Sequence, residues 1–430
     1  MLHIFFDKNN DSKNHKIRFL PDADLFFVPM WQSTGTAAQP VVDEGDTVFR
    51  FQLIGRACDG VSANVHSPVS GIIQAITSMV LSDGKESQIV VIQNDNKNEL
   101  IEKFDTNRQV DISKLSPEFI LRKIADAGIV GAGGAQFPAF VKYNINDKNV
   151  DTLLINGVEC EPYLSADFAT IDQFGVQFFE GIKAANKVLN ANTIFIFIEK
   201  QNRELVESLN RFLVRPENGN ISVKILPNVY PQGSELQLIK SVCGKESAKG
   251  ILPVDVGVIV SNAGTILAIG NAIIRNEPMT ERVVTVGGEV GSVAGNYLIK
   301  IGTPVAHVLK SLKIDFDAEN QQIVVGGAMM GKAVDNQNVP ITKGAAGILI
   351  LHKNKTKNYN CIRCGYCAEV CTMHLLPYKF NDLSRSKLTT KKLNRYNIAD
   401  CIECAACAYA CPGGVPLMAI IGEGKAKIKE

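Results

Sequence analysis

The spacing of hydrophobic and polar positions changes several times along the chain, and each change predicts a different kind of structure. Residues 24–95 alternate apolar and polar positions in short runs. PVVDEGDTVFRFQLIGRA turns at Gly45–Asp46, and HSPVSGIIQAI turns at Pro68 and Gly71 before another strand. From about residue 114 the period lengthens to that of a helix. SPEFILRKIADAG offers Ser116 as N-cap, Pro117 at the first helical position, apolar Ile120, Leu121 and Ile124, and Gly128 as a stop. Strand-length apolar runs then alternate with amphipathic stretches. The pattern predicts strands at 151–156, 193–199, 221–226 and 256–261. Helices are predicted at 166–190 (through Phe168, Ile171, Phe178, Ile182 and Val188), at 202–213, at 233–243 and from about 263. Residues 281–352 return to short strands, interrupted by one helix at about 304–312. The polar, basic HKNKTKNYN (352–360) reads as a linker.

Strands alternating with helices build a parallel or mixed sheet covered on its faces. The chain is therefore predicted to be an α/β multidomain protein. Residues 1–112 form a barrel-sandwich-like β domain, 113–280 a Rossmann-like α/β domain, 281–352 a β-grasp-like domain, and 353–430 a helical domain. The first segment resembles barrel-sandwich domains that carry lipoyl or biotinyl groups. Such a carrier needs a hairpin lysine, and none lies between Phe51 and Ile72. A structural or docking role is expected instead.

Composition narrows the function classes. A chain of 430 residues, 46% of them hydrophobic, can bury several cores. A formal net charge of +1 argues against a broad nucleic-acid surface. No apolar run approaches the roughly 20 residues of a membrane helix; the strongest, ANTIFIFIE (191–199), ends in Glu199 and Lys200. The N-terminus turns polar after six residues and shows no signal-peptide pattern. The expectation is a soluble chain in a reducing cytoplasm, reaching any membrane through partners.

Candidate chemistry is densest in the cysteines. Eight of the eleven fall in CIRCGYCAEVC (Cys361, Cys364, Cys367, Cys371) and CIECAACAYACP (Cys401, Cys404, Cys407, Cys411). Three thiolates two residues apart can wrap one iron–sulfur cube, while the fourth points to a second cube, as in two-cluster ferredoxins. One 4Fe–4S cluster is assigned to Cys361, Cys364, Cys367 and Cys411, the other to Cys401, Cys404, Cys407 and Cys371. Paired zinc sites do not explain four evenly spaced cysteines twice over. Disulfides do not suit a long chain with a large apolar fraction. Cys58, Cys160 and Cys243 are expected to be buried small hydrophobes.

A second candidate site lies in the alternating region. In GIVGAGGAQFPAFVKY (128–143), Gly131, Gly133 and Gly134 leave backbone amides open to a flat or anionic ligand, and Lys142 is placed to pair with a phosphate. The loop alone is equally consistent with a tight turn. LLINGVECEPY (153–163) places Asn156, Glu159 and Glu161 just past the carboxyl edge of a strand, where open α/β sheets bind ligands. Surface ion pairs are the plainer reading of both glutamates. YPQGSE (230–235) and SNAGT (261–265) open two later helices toward the same crevice.

Together with ERVVTVGGEV, IGTPVAHVL, GGAMMG and the cysteine runs, these segments resemble the RnfC family, one of the subunits of the Rnf complex, a membrane-bound ion-translocating ferredoxin:NAD oxidoreductase. The resemblance spans nearly the whole chain from about residue 29. The central region is also similar to the flavoprotein of respiratory complex I, which binds FMN and NADH. The resemblance implies that Gly131, Gly133, Gly134, Lys142, Asn156, Glu159, Tyr230, Gly233, Glu235, Asn262 and Thr265 line an FMN site. It places Glu161 on the NAD(H) side and makes Glu159 and Glu161 the candidate catalytic residues. Implied partners are NADH, the membrane-spanning and ferredoxin-like subunits of an Rnf-type complex and, indirectly, ferredoxin. The implied location is peripheral, on the cytoplasmic face of the cell membrane.

The chain departs from these patterns at several positions. Gln136 replaces a loop glycine and is expected to crowd the cofactor; Val158 replaces an acidic residue, and Ala132 an arginine. Thr372 stands where ferredoxins often have proline, which ligates nothing. The family's long charged tail has no counterpart after Cys411, so no tail function is expected. Two other readings stand beside this one. The first is a soluble flavo-iron–sulfur reductase serving a corrinoid enzyme or an amino-acid reductase. The second is a non-catalytic ferredoxin-like adaptor.

Overall fold

The computed structural model describes residues 4–6, 16–101, 110–146, 148–244, 251–353, 359–384 and 389–429. Most of the expected linker, residues 354–358, lies outside them.

Near the N-terminus two small antiparallel sheets face each other. One orders Leu25–Pro29, Glu86–Asn94, Gly71–Val80 and Thr47–Val48; the other orders Gln39–Pro40, Leu53–Arg56 and Val65–His66. Their inward positions, among them Phe26, Val28, Ile54, Val65, Ile73, Val90 and Ile92, form one core. On the other face of the larger sheet, Ile89 and Val91 alternate with them and pack with Leu81 in a second, smaller cluster.

The central sheet is wholly parallel, in the order Ile221–Leu226, Thr193–Glu199, Thr152–Asn156, Val258–Asn262. Its inner strands read as near-continuous apolar runs because both faces are covered, while the edge strand Ile221–Leu226 carries exposed Ser222 and Lys224. Leu153, Ile155, Ile194, Ile196, Ile198 and Ile259 face the helices Pro117–Asp126, Gly175–Leu189 and Ala263–Ile274. Leu154, Phe197, Val258 and Val260 face Leu238 and Ile239 of the helix Glu235–Cys243. Ser116 caps its helix as expected, accepting from the Phe119 N–H. The helices Gly175–Leu189 and Ala263–Ile274 touch backbone to backbone. A Cβ on Gly181 would stand 2.0 Å from the Ile266 carbonyl oxygen, and one on Gly270 2.0 Å from that of Gln177. This packing fixes where the N-terminus of Ala263–Ile274 meets the sheet crest.

One element differs from expectation. The helix predicted over 166–190 breaks at Phe174 into Ala166–Gln173 and Gly175–Leu189. Just past the break the Phe212 ring packs against Gly175 so closely that a Cβ there would stand 2.6 Å from it.

The third sheet is six-stranded and mixed: Arg18–Phe19, Gly295–Lys300, Glu281–Gly288, Gly347–His352, Gln321–Val325, Lys332–Val334, with the helix Val305–Ser311 against it. Arg18–Phe19 thus belongs to this sheet, away from the N-terminal strands that it precedes in sequence. The Arg18 guanidinium lies 4.4 Å from the Tyr297 ring centroid and donates to the carbonyls of Val293 and Ala294, which anchors this two-residue edge strand. The last unit is helical: Tyr366–Glu369, Pro377–Ser384, Thr390–Arg395, Ala406–Tyr409 and Leu417–Lys429, around Phe380, Leu393, Ile398, Leu417 and Ile421. Among the described residues, no helix is long and apolar enough to cross a membrane.

Candidate functional site

The two cysteine runs repeat one backbone course. Arg363 and Gly365 in the first, and Glu403 and Ala405 in the second, all take positive φ, and each run then enters a four-residue helix. The result is two small cavities. Cys361, Cys364, Cys367 and Cys411 line one, walled by Tyr378, Val415 and Leu417. Cys371, Cys401, Cys404 and Cys407 line the other, walled by Phe380, Met418 and Ile421. These are the quartets that the spacing assigned. Among the described residues, no three His, Cys, Asp or Glu side chains form a group that would hold a single metal ion.

Burial raises the pKa of Cys367, Cys401, Cys404 and Cys407, pushing Cys404 up to about 11 and Cys407 also strongly upward. Four thiolates crowded around one cavity repel one another unless a cationic centre lies between them, so the donor set fits an iron–sulfur cluster. The N–H groups of Leu375 and Glu403 donate to the sulfurs of Cys371 and Cys401, each at 3.4 Å. The three other cysteines are not all buried as expected. Cys243 is exposed at the end of its helix, and Cys58 and Cys160 are half-buried.

The second site gathers at the carboxyl edge of the parallel sheet. The Gly-rich loop closes on itself through a bridge between Val130 and Pro138 and a bond from the Gly131 N–H to the Phe137 carbonyl at 2.9 Å. The Ala132 N–H donates to Thr265 Oγ1 at 2.9 Å. Gly133 faces the Asn262 side chain, and Gly134, at φ +102°, has open space where a Cβ would be. Asn262 caps Ala263–Ile274 by accepting from the Gly264 N–H, while its Nδ2 donates to Asp167 at 2.6 Å. Asn156 Nδ2 donates to the Gly233 carbonyl at 2.9 Å, and Lys142 pairs with Glu235 at 2.7 Å. Gly131, Gly133, Gly134, Lys142, Asn156, Gly233, Glu235, Asn262 and Thr265 are thus brought together. They form one cluster, the cradle, whose Gly-rich backbone is left open at Gly134, where a flat ring system would have room.

Three of the expected residues turn elsewhere. Glu159 is only 8% exposed and accepts from the N–H groups of Asp167 and Phe168, each at 2.9 Å, capping Ala166–Gln173. Glu161 accepts from the N–H groups of Met329 (2.8 Å) and Met330 (3.0 Å), inside the GGAMMG turn of the third sheet. The Tyr230 hydroxyl donates to the Cys404 carbonyl at 2.6 Å, and its ring packs edge-on to Phe6 among Val370 and Ala406. Tyr230 therefore ties the crest of the central sheet to the cavity of Cys371, Cys401, Cys404 and Cys407.

Sequence reasoning missed the supports behind the Gly-rich loop. Arg282, buried, donates to the carbonyls of Ala132 (3.2 Å) and Lys343 (2.5 Å). Burial pushes its pKa down to about 10, with Asp167 opposing. Thr34 of the N-terminal sheets donates through its N–H to Gln136 and through Oγ1 to Ala135. The Gln136 side chain packs over Gly344, toward the third sheet. The signal for Arg282 and Lys343 was a lone cation inside an otherwise apolar segment. A cavity of about 510 Å³ opens behind this loop, past Ala132, Asp167 and Arg282 toward Asn271 and Lys300. It does not include Gly133, Asn156 or Tyr230, so it is distinct from the cradle.

Lys343 Nζ donates to the carbonyls of Asn64 (2.8 Å) and Gly128 (2.7 Å), joining all three β-containing units. Burial pushes its pKa down to about 7 from an ordinary 10.5. The unfolded chain therefore binds this proton more tightly than the folded chain. The penalty on stability is full below about pH 7 and fades as pH rises toward 10.5. The thermal midpoint should climb across that window, and Lys343→Met should flatten the climb. An unchanged slope in the variant would exclude Lys343 as its source.

Comparison with known proteins gives matches in the same three places. Residues 3–97 match the family described as RnfC Barrel sandwich hybrid domain, 124–271 the Nuo51 FMN-binding domain, and 360–415 a 4Fe-4S dicluster domain. The chain is 37% identical over 398 residues to the C subunit of the proton-translocating ferredoxin:NAD(+) oxidoreductase complex of Clostridium ljungdahlii. That alignment spans 92% of this chain and 86% of the relative. It is 34% identical over 429 residues to the C subunit of the ion-translocating oxidoreductase complex of Haemophilus influenzae strain PittEE, spanning 98% of this chain but 65% of the relative. Among solved structures, a chain of the NAD+-reducing [NiFe]-hydrogenase in its H2-reduced state is similar at a TM-score of 0.51 and 18% identity. That match covers 74% of this chain and 63% of the other, a likeness of fold.

Proposed function

The chain belongs to the RnfC family, the C subunits of ion-translocating ferredoxin:NAD oxidoreductase complexes, and from that premise we propose that it is the component that exchanges electrons with NAD(H). In this reading the first unit is a barrel sandwich, the second a Rossmann-like FMN domain, the third a β-grasp-like domain and the last a two-cluster ferredoxin-like domain. FMN held there would supply the conversion between two-electron hydride chemistry and single electrons, and 4Fe–4S clusters held by the two cysteine quartets would supply one-electron carriers. The residues supply binding and placement. Gly131, Gly133 and Gly134 offer backbone to the flavin, Asn156, Asn262 and Thr265 order the walls around it, and Lys142 with Glu235 closes one side. The observation that carries the proposal is the Tyr230–Cys404 hydrogen bond, which links the YPQGSE segment that also holds Gly233 and Glu235 to one cysteine quartet.

Partners follow from the same reading. A chain with no spanning helix among its described residues leaves ion movement to membrane-spanning subunits, which would hold it at the cytoplasmic face. A ferredoxin-like partner would exchange electrons at the clusters. Anaerobic purification with iron, sulfide and flavin analysis tests the cofactor content. About eight irons with bound FMN is the expected result, and clusters without any flavin binding would turn the reading to an adaptor.

Glu161 is proposed to serve the nucleotide side by fixing the Met329–Met330 turn. Its carboxylate accepts two N–H bonds at once. Glutamine would present an NH2 group to one of them, losing a charge-assisted bond. Glu161→Gln should raise the KM for NADH by about tenfold while flavin content stays intact. Steady-state kinetics at full flavin loading decides it, and an unchanged KM removes Glu161 from the nucleotide site.

A further inference from the structure

The two cysteine runs match in spacing but carry opposite charges at one position. Two residues after its first cysteine, the first run has Arg363 and the second has Glu403. Both take nearly the same left-handed backbone, at φ 56° and 55°. Their surroundings differ. The Arg363 side chain is 74% exposed and reaches Asp382 at 3.6 Å. Glu403 meets the Lys425 ammonium in a close ion pair. Lys425 projects from the helix Leu417–Lys429 and also donates to the Cys401 carbonyl at 2.9 Å. Its side chain is 21% exposed, so water screens this cation less than it screens Arg363. The helix itself is fixed by Leu417 and Ile421, both in the core of the cysteine unit.

We propose that Lys425 is a tuning residue that raises the reduction potential of the cluster held by Cys371, Cys401, Cys404 and Cys407, with Glu403 partly opposing it. The inference rests on the cluster assignment proposed above. Reduction adds one negative charge beside a fixed ammonium, which favours the reduced state, and cluster potentials respond to local net charge and hydrogen bonding. The hydrogen bond to the Cys401 carbonyl pins the ammonium against a ligating residue, so its position does not average out in solvent. The first run has no such cation at its cysteine backbone among the described residues. This cluster should therefore be easier to reduce than a site of the same ligands without the lysine. It is also the quartet that Tyr230 ties to the flavin-type domain.

The test is an anaerobic redox titration of the full cluster-loaded chain, followed by electron paramagnetic resonance, with iron content measured on each sample. Lys425→Met should shift the reduction equilibrium of one cluster about tenfold toward the oxidised form, which for one electron is about 59 mV lower. Glu403→Gln should move the same midpoint upward, and Lys425→Arg should hold it near the wild-type value. The second cluster's midpoint should stay in place in all three. If Lys425→Met moves neither midpoint, or both equally, the proposal is overturned. It is also overturned if Lys425→Met and Lys425→Arg both lose iron, because the lysine is then needed for assembly and not for tuning. A wild-type chain showing no two cluster signals at all would instead defeat the underlying assignment, which keeps the two failures apart.

Discussion

Cys371→Ser should cost the chain about four of its eight irons, and the cluster lost should be the one also lost in Cys401→Ser. Cys371 belongs to the first run in sequence, but its side chain lines the cavity of Cys401, Cys404 and Cys407. Cys411, from the second run, lines the cavity of Cys361, Cys364 and Cys367. The reciprocal pair, Cys411→Ser and Cys361→Ser, should remove the other spectroscopic signal. Cys243→Ser is the control: this thiol is exposed and belongs to neither quartet, so iron content should not change. Were Cys371→Ser to abolish the same signal as Cys361→Ser, each run would be holding its own cluster and the crossed arrangement would be wrong.

Gly133→Val should weaken FMN binding by about tenfold to a hundredfold, the effect of forcing branched carbon into a filled site. The fold should tolerate the change. A Cβ at Gly133 would meet Asn262 at 3.5 Å, an ordinary contact, and Gly133 does not have a positive φ. The added methyl groups would stand in the cradle, between the loop and the cap of Ala263–Ile274. Gly134 is the poorer test, since its φ of +102° would strain any side chain whether or not a ligand is present. Fluorescence titration with FMN, alongside thermal melting, separates the outcomes. Normal melting with normal affinity would make the Gly-rich loop a structural turn and nothing more.

The sequence made the cysteine quartets legible because their spacing reflects ligation directly and is almost independent of the rest of the fold. The parallel sheet was legible for a related reason: strands covered on both faces leave unbroken apolar runs such as TIFIFIE. The break at Phe174 was not. Helical periodicity continues on both sides of it, and the close packing of Phe212 against Gly175 comes from far away in sequence. The placement of Arg18–Phe19 in the third sheet was hidden in the same way, because a two-residue strand has no period of its own. Glu159 and Glu161 show the limit most clearly. Acidic residues past a strand's carboxyl edge look like ligand contacts. Here one caps a helix and the other holds a turn of a different sheet, and only the tertiary structure supplies those N–H partners. Arg282 and Lys343 support the Gly-rich loop from the third sheet, so no reading of the loop's own sequence could have included them.

The central claim is that NAD(H), a flavin and two clusters exchange electrons on this one chain. It is tested most directly by mixing the anaerobic protein, loaded with FMN, iron and sulfide, with NADH alone. The flavin absorbance should bleach, and electron paramagnetic resonance should show reduced-cluster signals with no partner protein present. If dithionite reduces the same sample fully while NADH leaves flavin and clusters oxidised, the chain is not the site of nicotinamide oxidation, and an electron-carrying adaptor takes its place.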